Sequence, residues 1–109
     1  MVEVKAESRE ILIDKARTFI DQLQSTRGFR ITEAYLYGSQ ARDGADADSD
    51  IDVAVISPDL SGNRADDWFM LNKIASKIDV RLEVVGFRPE QFRDENPLVW
   101  EVKKGVKLL

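Results

Sequence analysis

The chain has 109 residues, of which 43% are hydrophobic and 33% charged, and its formal net charge at neutral pH is −4. This is the composition of an ordinary globular protein, and the length predicts a single domain over residues 1–109. Cysteine and histidine are both absent. Their absence excludes disulfides, thiolate metal sites, a cysteine nucleophile and every histidine-dependent triad. The negative net charge also argues against a broad nucleic-acid surface.

The sequence shows no sign of a targeting or membrane-spanning segment. Its first residues, MVEVKAESRE, lack the apolar core of a signal peptide. No apolar run approaches the roughly 20 residues that cross a bilayer. We therefore expect a cytoplasmic location and no membrane contact.

The first half of the chain alternates between helical and extended patterns. Apolar residues recur at spacings of three and four over 6–27 and predict a helix, which Gly28 would end. A run rich in β-branched and aromatic residues predicts a strand over 31–37. Gly38 and Ser39 interrupt it, and a short helical turn and a loop are expected over 39–49. A second strand is predicted over 51–56.

The second half continues this alternation. A helix is predicted over 64–77, a third strand over 80–87, a short helix or turn at 88–90, and a helix from Pro97 with an extended end after Gly105. Trp68 is expected in the core, although three consecutive residues, Trp68, Phe69 and Met70, cannot all face one core. The expected fold class is α/β, with a small mixed sheet of three or slightly more strands flanked by helices.

Two carboxylates lie close together at the second predicted strand. Asp50 and Asp52 are two residues apart, so they point to one side of the sheet while Ile51 and Val53 point into the core. Two anions held this close repel, so either one pKa rises or a divalent cation binds. A solvated acidic edge with no function is the alternative.

A calcium loop of the EF-hand type does not fit this acidic segment. Asp46, Asp48 and Asp50 imitate its start, but the loop needs glycine at its sixth position and glutamate at its twelfth. Those positions hold Ile51 and Ser57, and the register from Asp48 fails as well. Mg²⁺ fits better, with Mn²⁺ as a substitute, because it takes few carboxylates and leaves positions for water and phosphate oxygens.

A turn suited to phosphate precedes the acids. Gly38 permits close approach of the backbone to a ligand, and Ser39 offers a hydroxyl and an amide at the start of the expected helical turn. A Gly-Ser turn alone is more often structural than functional.

Together these features resemble a known motif. Gly38-Ser39, ten residues and then Asp50-Ile51-Asp52 resemble the G-S-x10-D-x-D motif of nucleotidyltransferases of the DNA polymerase beta superfamily. Residues 35–56, YLYGSQARDGADADSDIDVAVI, are most similar to its smallest members, the minimal nucleotidyltransferases. A looser similarity extends over about residues 10–105. The resemblance implies a small nucleotidyltransferase fold, similar to the polymerase beta palm.

The resemblance also implies a two-metal catalytic centre. Asp50 and Asp52 are expected to be catalytic and to hold two Mg²⁺ ions. A third carboxylate, expected to be catalytic and to bind the second metal ion, is implied on the strand after the next helix. We favour Glu83 over Asp79, because Glu83 lies in mid-strand, where a charge needs a reason, and Asp79 lies where helix meets strand. The family more often has aspartate at this position.

The same resemblance assigns the nucleotide-binding residues. Ser39 and the backbone around Gly38 are expected to hold the β- and γ-phosphates, and Arg42 is a candidate contact to the triphosphate. ATP is the expected substrate: attack on its α-phosphorus transfers a nucleoside monophosphate and releases pyrophosphate.

Arg81 is expected to form a structural ion pair with Asp79 or Glu83.

The biological role follows from the resemblance alone. Minimal nucleotidyltransferases of bacteria and archaea are typically antitoxins paired with a HEPN-domain ribonuclease, and some transfer AMP to a tyrosine of that toxin. The resemblance therefore implies an adenylyltransferase antitoxin with a HEPN-domain partner and no direct nucleic-acid substrate. Homo-oligomers are compatible with this. Two alternatives remain open: an antitoxin that acts by binding alone, and a small-molecule nucleotidyltransferase that works as a dimer.

Overall fold

A computed structural model of the protein describes residues 9–38 and 50–109. None of the helices in these two segments is both long enough and apolar enough to cross a membrane. The helical turn and loop expected over 39–49 lie outside the described residues. The described elements follow the expected order: α1 (Arg9–Arg27), β1 (Glu33–Tyr37), β2 (Ile51–Ile56), α2 (Arg64–Ala75), β3 (Leu82–Phe87), a 3-10 turn (Pro89–Gln91), α3 (Pro97–Lys103) and β4 (Val106–Lys107).

The four strands form one mixed sheet in the order β3-β2-β1-β4. β1 pairs antiparallel with β2 and with β4, whereas β2 and β3 are parallel. Parallel neighbours need a crossover connection, and α2 supplies it. The expected fold class, a small mixed sheet flanked by helices, is confirmed.

Alternation along the strands divides the sheet into two faces. One face carries Leu36, Val53 and Val84, which pack in a cluster with buried residues of α1 and α2. We call it the α1/α2 face. The other carries Ala54 and Phe87, which pack with buried residues of α3, and we call it the α3 face. Strand parity places the even positions of β2 and the odd positions of β3 on the α3 face.

A buried aspartate fixes the rotation of α2. The Asp67 carboxylate accepts hydrogen bonds from Ser61 N at 3.0 Å, Ser61 Oγ at 2.7 Å and Gly62 N at 3.0 Å. With Asp67 held inward and Leu71 fully buried, the side chain of Trp68 turns outward and is 41% exposed. The prediction that Trp68 lies in the core is therefore wrong. The spacing of apolar residues assigned the inward position to Trp68, but the buried carboxylate of Asp67 occupies it.

The outer edge of β3 is occupied by a side chain of α2. Asn72 Oδ1 accepts from Val84 N at 2.8 Å, and Asn72 Nδ2 donates to Val84 O at 2.8 Å and to Trp68 O at 2.8 Å. The amide and the carbonyl of Val84 point away from β2, and Asn72 provides hydrogen-bond partners for both. Asn72 ties the crossover helix to the strand that follows it.

Asp79 is held in an ion-pair network between α1 and the start of β3. Its carboxylate contacts Arg81 Nη2 at 2.8 Å and Lys15 Nζ at 2.6 Å. Hydrogen bonding to Arg81, reinforced by Lys15, holds the pKa of Asp79 well below its usual range. The expected structural ion pair of Arg81 is confirmed, and Asp79 is its partner.

We predict that Asn72→Asp destabilises the fold. The change keeps an acceptor for Val84 N, but it removes the donors to Val84 O and Trp68 O and places a charge against both carbonyls. The expected loss is about 1–3 kcal/mol in the free energy of unfolding, measured by urea denaturation. Gln24→Glu, the same amide-to-acid change at an exposed position of α1, is the control. Equal losses in the two variants would contradict the bridging role of Asn72.

Candidate active site

The strand register brings the predicted carboxylates together. Asp52 pairs with Glu83 across the parallel β2–β3 ladder, and with Tyr37 across the antiparallel β1–β2 ladder. Neighbouring strands lie about 4.8 Å apart, so paired residues on the same face are in close proximity. Asp52 and Glu83 share the α3 face, and Asp50 lies immediately before β2. The structure therefore places Asp50, Asp52 and Glu83 in one cluster.

Burial is the main cause of the raised pKa values in this cluster, and the neighbouring carboxylates add to it. Burial, together with the negative charges of Glu83 and Asp50, raises the pKa of Asp52 to about 6. Burial and a hydrogen bond with Asp50 also raise the pKa of Glu83. Burial and the charges of Asp52 and Glu83 raise the pKa of Tyr37 to about 12. The negative charges of the neighbouring carboxylates thus add to burial in making Asp52 and Glu83 harder to ionise.

Gly38 closes the cluster on the β1 side. Its φ of 75° lies in the left-handed region, which favours glycine. A β-carbon at this position would overlap with Oδ2 of Asp52. Both the conformation and the space therefore require glycine here, and the backbone of the turn lies directly against the Asp52 carboxylate. Gly38, predicted to allow close approach of a ligand, is thus also required by its contact with Asp52.

Two of the predicted nucleotide-binding residues lie outside the described residues. They are Ser39 and Arg42, both assigned to the triphosphate. Their assignments remain predictions.

The donors of the cluster suit Mg²⁺. Across 9–38 and 50–109, no three or more acidic side chains are arranged to hold a metal ion by themselves. Mg²⁺ does not need such a cage, because it binds through one or two carboxylates and completes its shell with water and substrate phosphates. The donors are carboxylate oxygens only, and the chain has neither histidine nor cysteine, so the set fits a hard cation rather than zinc.

Arg64 is a candidate site residue that the sequence analysis missed. It is the first residue of α2, and its guanidinium lies 5.0 Å from the centre of the Phe87 ring. Phe87 shares the α3 face with Asp52 and Glu83, and it lies four residues beyond Glu83 on β3, about 13 Å along the strand. The positive charge of Arg64 partly offsets the raised pKa of Tyr37, which pairs with Asp52. One signal in the sequence could have revealed it. A cation in the first turn of a helix is disfavoured by the helix dipole, so its position needs another reason.

Comparison with known families decides the assignment. Residues 13–107 match the family model described as a nucleotidyltransferase domain. The chain belongs to the nucleotidyltransferase-domain family. The family expected from the Gly-Ser turn and the two aspartates is thereby confirmed. None of the curated proteins compared with the sequence matches it.

Solved structures support the fold of this nucleotidyltransferase domain. A proposed nucleotidyltransferase from Sulfolobus solfataricus has a TM-score of 0.60 at 19% identity, over 93% of this chain and 90% of that one. A chain of the toxin-antitoxin MntA-HpeT, in mutant form, has a TM-score of 0.51 at 20% identity, over 94% of this chain and 73% of that one. At these identities the likeness concerns the fold.

The crowding of the carboxylates predicts a pH-dependent stability in metal-free buffer. The pKa of Asp52 is about 6 in the folded chain and 3.8 ordinarily, so the folded state binds the proton more tightly. Its contribution therefore favours folding at low pH and is lost as the pH rises from about 4 through 6. We expect Asp52→Asn to remove this decline and to raise the free energy of unfolding at pH 7 by roughly 1–3 kcal/mol.

Denaturant titrations at several pH values in the presence of a chelator measure this effect. The matched control is Asp94→Asn, which changes an exposed aspartate paired with Lys103 at 2.7 Å and should leave the decline in place. An Asp52→Asn variant that is less stable than the parent at pH 7 would show that the carboxylates do not repel one another.

Proposed function

We propose that this nucleotidyltransferase domain transfers AMP from ATP to a protein acceptor in a Mg²⁺-dependent reaction, and that the acceptor is a HEPN-domain toxin which it neutralises. The observation that carries the proposal is the pairing of Asp52 with Glu83 in the β2–β3 register beside Asp50. A divalent cation would relieve the repulsion within this cluster, and its remaining positions would be open to phosphate oxygens. The cluster thus favours a substrate that binds as a complex of metal and triphosphate.

The residues of the chain divide the work of the reaction. Asp50 and Asp52 would hold the metal, with Glu83 as the third carboxylate. Mg²⁺, when bound, would neutralise part of the negative charge of the triphosphate. Glu83, which is exposed on β3, would take the proton of the acceptor hydroxyl. The oxygen of that hydroxyl forms a bond to the α-phosphorus, the bond from the α-phosphorus to the bridging oxygen breaks, and pyrophosphate leaves. Positioning and charge neutralisation carry such a transfer.

Arg64 is proposed to contact the triphosphate or its leaving group. Its guanidinium lies over Phe87 at 5.0 Å, and stacking of this kind leaves the N–H donors at the rim of the plane free for phosphate oxygens. It supplies a positive charge on the face that carries the carboxylates. Ser39 and Arg42 remain proposed partners of the same phosphates.

The toxin partner is proposed from the sequence motif, with support from one structural neighbour. The solved MntA-HpeT chain belongs to a toxin-antitoxin pair and shares the fold of this chain. The resemblance of residues 35–56 to the minimal nucleotidyltransferases points to the same role. A protein acceptor is also consistent with the net charge of −4, which disfavours nucleic acid.

Label transfer tests the proposed reaction. The protein is incubated with Mg²⁺ and ATP labelled at the α-phosphorus, together with a HEPN-domain protein as the candidate acceptor, and the products are separated by mass. We expect label on the partner. Asp52→Asn should reduce labelling by about 1000-fold or more, since it removes a carboxylate from the site; Asp94→Asn, the same change away from the site, should not.

The outcomes separate the alternatives. If the partner is neutralised without label, and Asp52→Asn neutralises it equally well, the protein acts by binding alone. If a small molecule in a metabolite extract takes the label and the partner does not, the protein is a small-molecule nucleotidyltransferase.

Arg64→Ala tests the proposed phosphate contact. Loss of one charge-assisted contact should lower kcat/KM for ATP by about 10- to 100-fold. Arg93→Ala, at an arginine with a side chain 69% exposed and paired with Glu95, is the control and should leave kcat/KM unchanged. Unchanged kinetics in Arg64→Ala would remove this residue from the site.

A further inference from the structure

A groove on the outside of the domain is separate from the carboxylates. It runs between the C-terminal half of α1 and the length of α2, with a volume of about 1050 Å³. We call it the α1–α2 groove. Its apolar lining is formed by Trp68, Phe69, Met70 and Ile74. Because both helices cover the α1/α2 face, the groove and the carboxylate cluster lie on opposite sides of the sheet.

Two aromatic side chains are held exposed in this groove. Phe69 is 70% exposed, and its ring meets that of Trp68 edge to face, with centres 5.4 Å apart. Their position is a fixed feature of α2, because the bonds of Asp67 to the preceding loop and of Asn72 to β3 set the rotation of the helix. Adjacent exposed aromatics of this kind are typical of protein-binding surfaces.

The charge around the groove is opposite to that of the whole chain. Arg27, Lys73 and Lys77 line it, and Asp66 is the one acidic residue among the described residues of the lining. These described residues thus carry an excess of two positive charges, whereas the chain carries a net charge of −4. An occupant that complements this surface is apolar in the middle and acidic at its borders.

We propose that the α1–α2 groove docks an amphipathic, acidic helix of a partner protein. The apolar face of that helix would rest on Trp68 and Phe69, and its acidic side chains would lie near Lys73 and Lys77. A helix is favoured because two helices form the walls of the groove and their side-chain ridges accept a third. Nucleic acid is disfavoured because the chain as a whole carries a net charge of −4.

The location has a functional meaning if the proposed transfer is correct. A partner held on the α1/α2 face leaves the carboxylate cluster on the α3 face open to the nucleotide. The identity of the partner rests on the proposed function. The docking itself does not, because none of the carboxylates takes part in it.

Two synthetic helical peptides test the proposal. Both carry leucines at i, i+3, i+4 and i+7; one has glutamates and the other lysines on the polar face. Binding is followed by the fluorescence of Trp68 in a Trp100→Phe background, which leaves one tryptophan. We expect the acidic peptide to shift the emission to shorter wavelength and to bind at least about 10-fold more tightly than the basic one.

Charge reversal provides the decisive variant. Lys73→Glu combined with Lys77→Glu should invert the preference, so that the basic peptide binds more tightly. Phe69→Ser should weaken both peptides. Trp100→Ala, a change at a 59% exposed tryptophan on α3, should leave binding unchanged when measured by calorimetry. Circular dichroism verifies that each variant is folded.

Four results would overturn the proposal. They are equal affinity for the two peptides, a preference unchanged by the charge reversal, displacement of the acidic peptide by a single-stranded oligonucleotide, and self-association that buries Trp68, detected by sedimentation. Asp52→Asn should bind the acidic peptide like the parent. Failure of label transfer with intact peptide binding would therefore count against the catalytic proposal alone, and the reverse result against the groove alone.

Discussion

The parallel pairing of β2 with β3 is the constraint on which the candidate site depends. It sets Asp52 beside Glu83, and a slip of one residue would turn Glu83 to the opposite face of the sheet. The pairing is non-local, so its register must be fixed by the crossover between the strands. Asp67 anchors the start of that crossover helix to the preceding loop, and Asn72 joins its middle to Val84. Residues remote from the chemistry thus determine its geometry.

The cluster also shows how a small fold tolerates an unfavourable arrangement. The neighbours of Asp52, Ile51 and Val53, are fully buried, and this burial holds the strand in place while the carboxylates repel. Hydrophobic burial of this kind stabilises by roughly 1.5–3 kcal/mol per side chain. That is comparable to the cost of a carboxyl with a pKa raised to about 6. The fold can therefore keep a charge cluster that is relieved by protonation or by a bound cation.

The local patterns of the sequence predicted most of the fold, and tertiary contacts explain the rest. The order of helices and strands followed from periodicity, and Glu83 stood out as a charge within an apolar strand. Trp68 was misplaced because the spacing of apolar residues does not reveal that Asp67 is buried by its hydrogen bonds to a loop. Arg64 was missed because its proximity to Phe87 joins residues that are distant in sequence.

The contact between Asn72 and β3 has one further consequence, which concerns assembly. β3 is at an edge of the sheet, and an exposed edge is a template on which a strand of another molecule can pair and start aggregation. The Asn72 amide occupies the outward amide and carbonyl of Val84, and the opposite edge is formed by the two-residue β4. A strand of another molecule therefore cannot pair with β3 at Val84, next to Glu83. The carboxylates beside this edge stay accessible to small molecules.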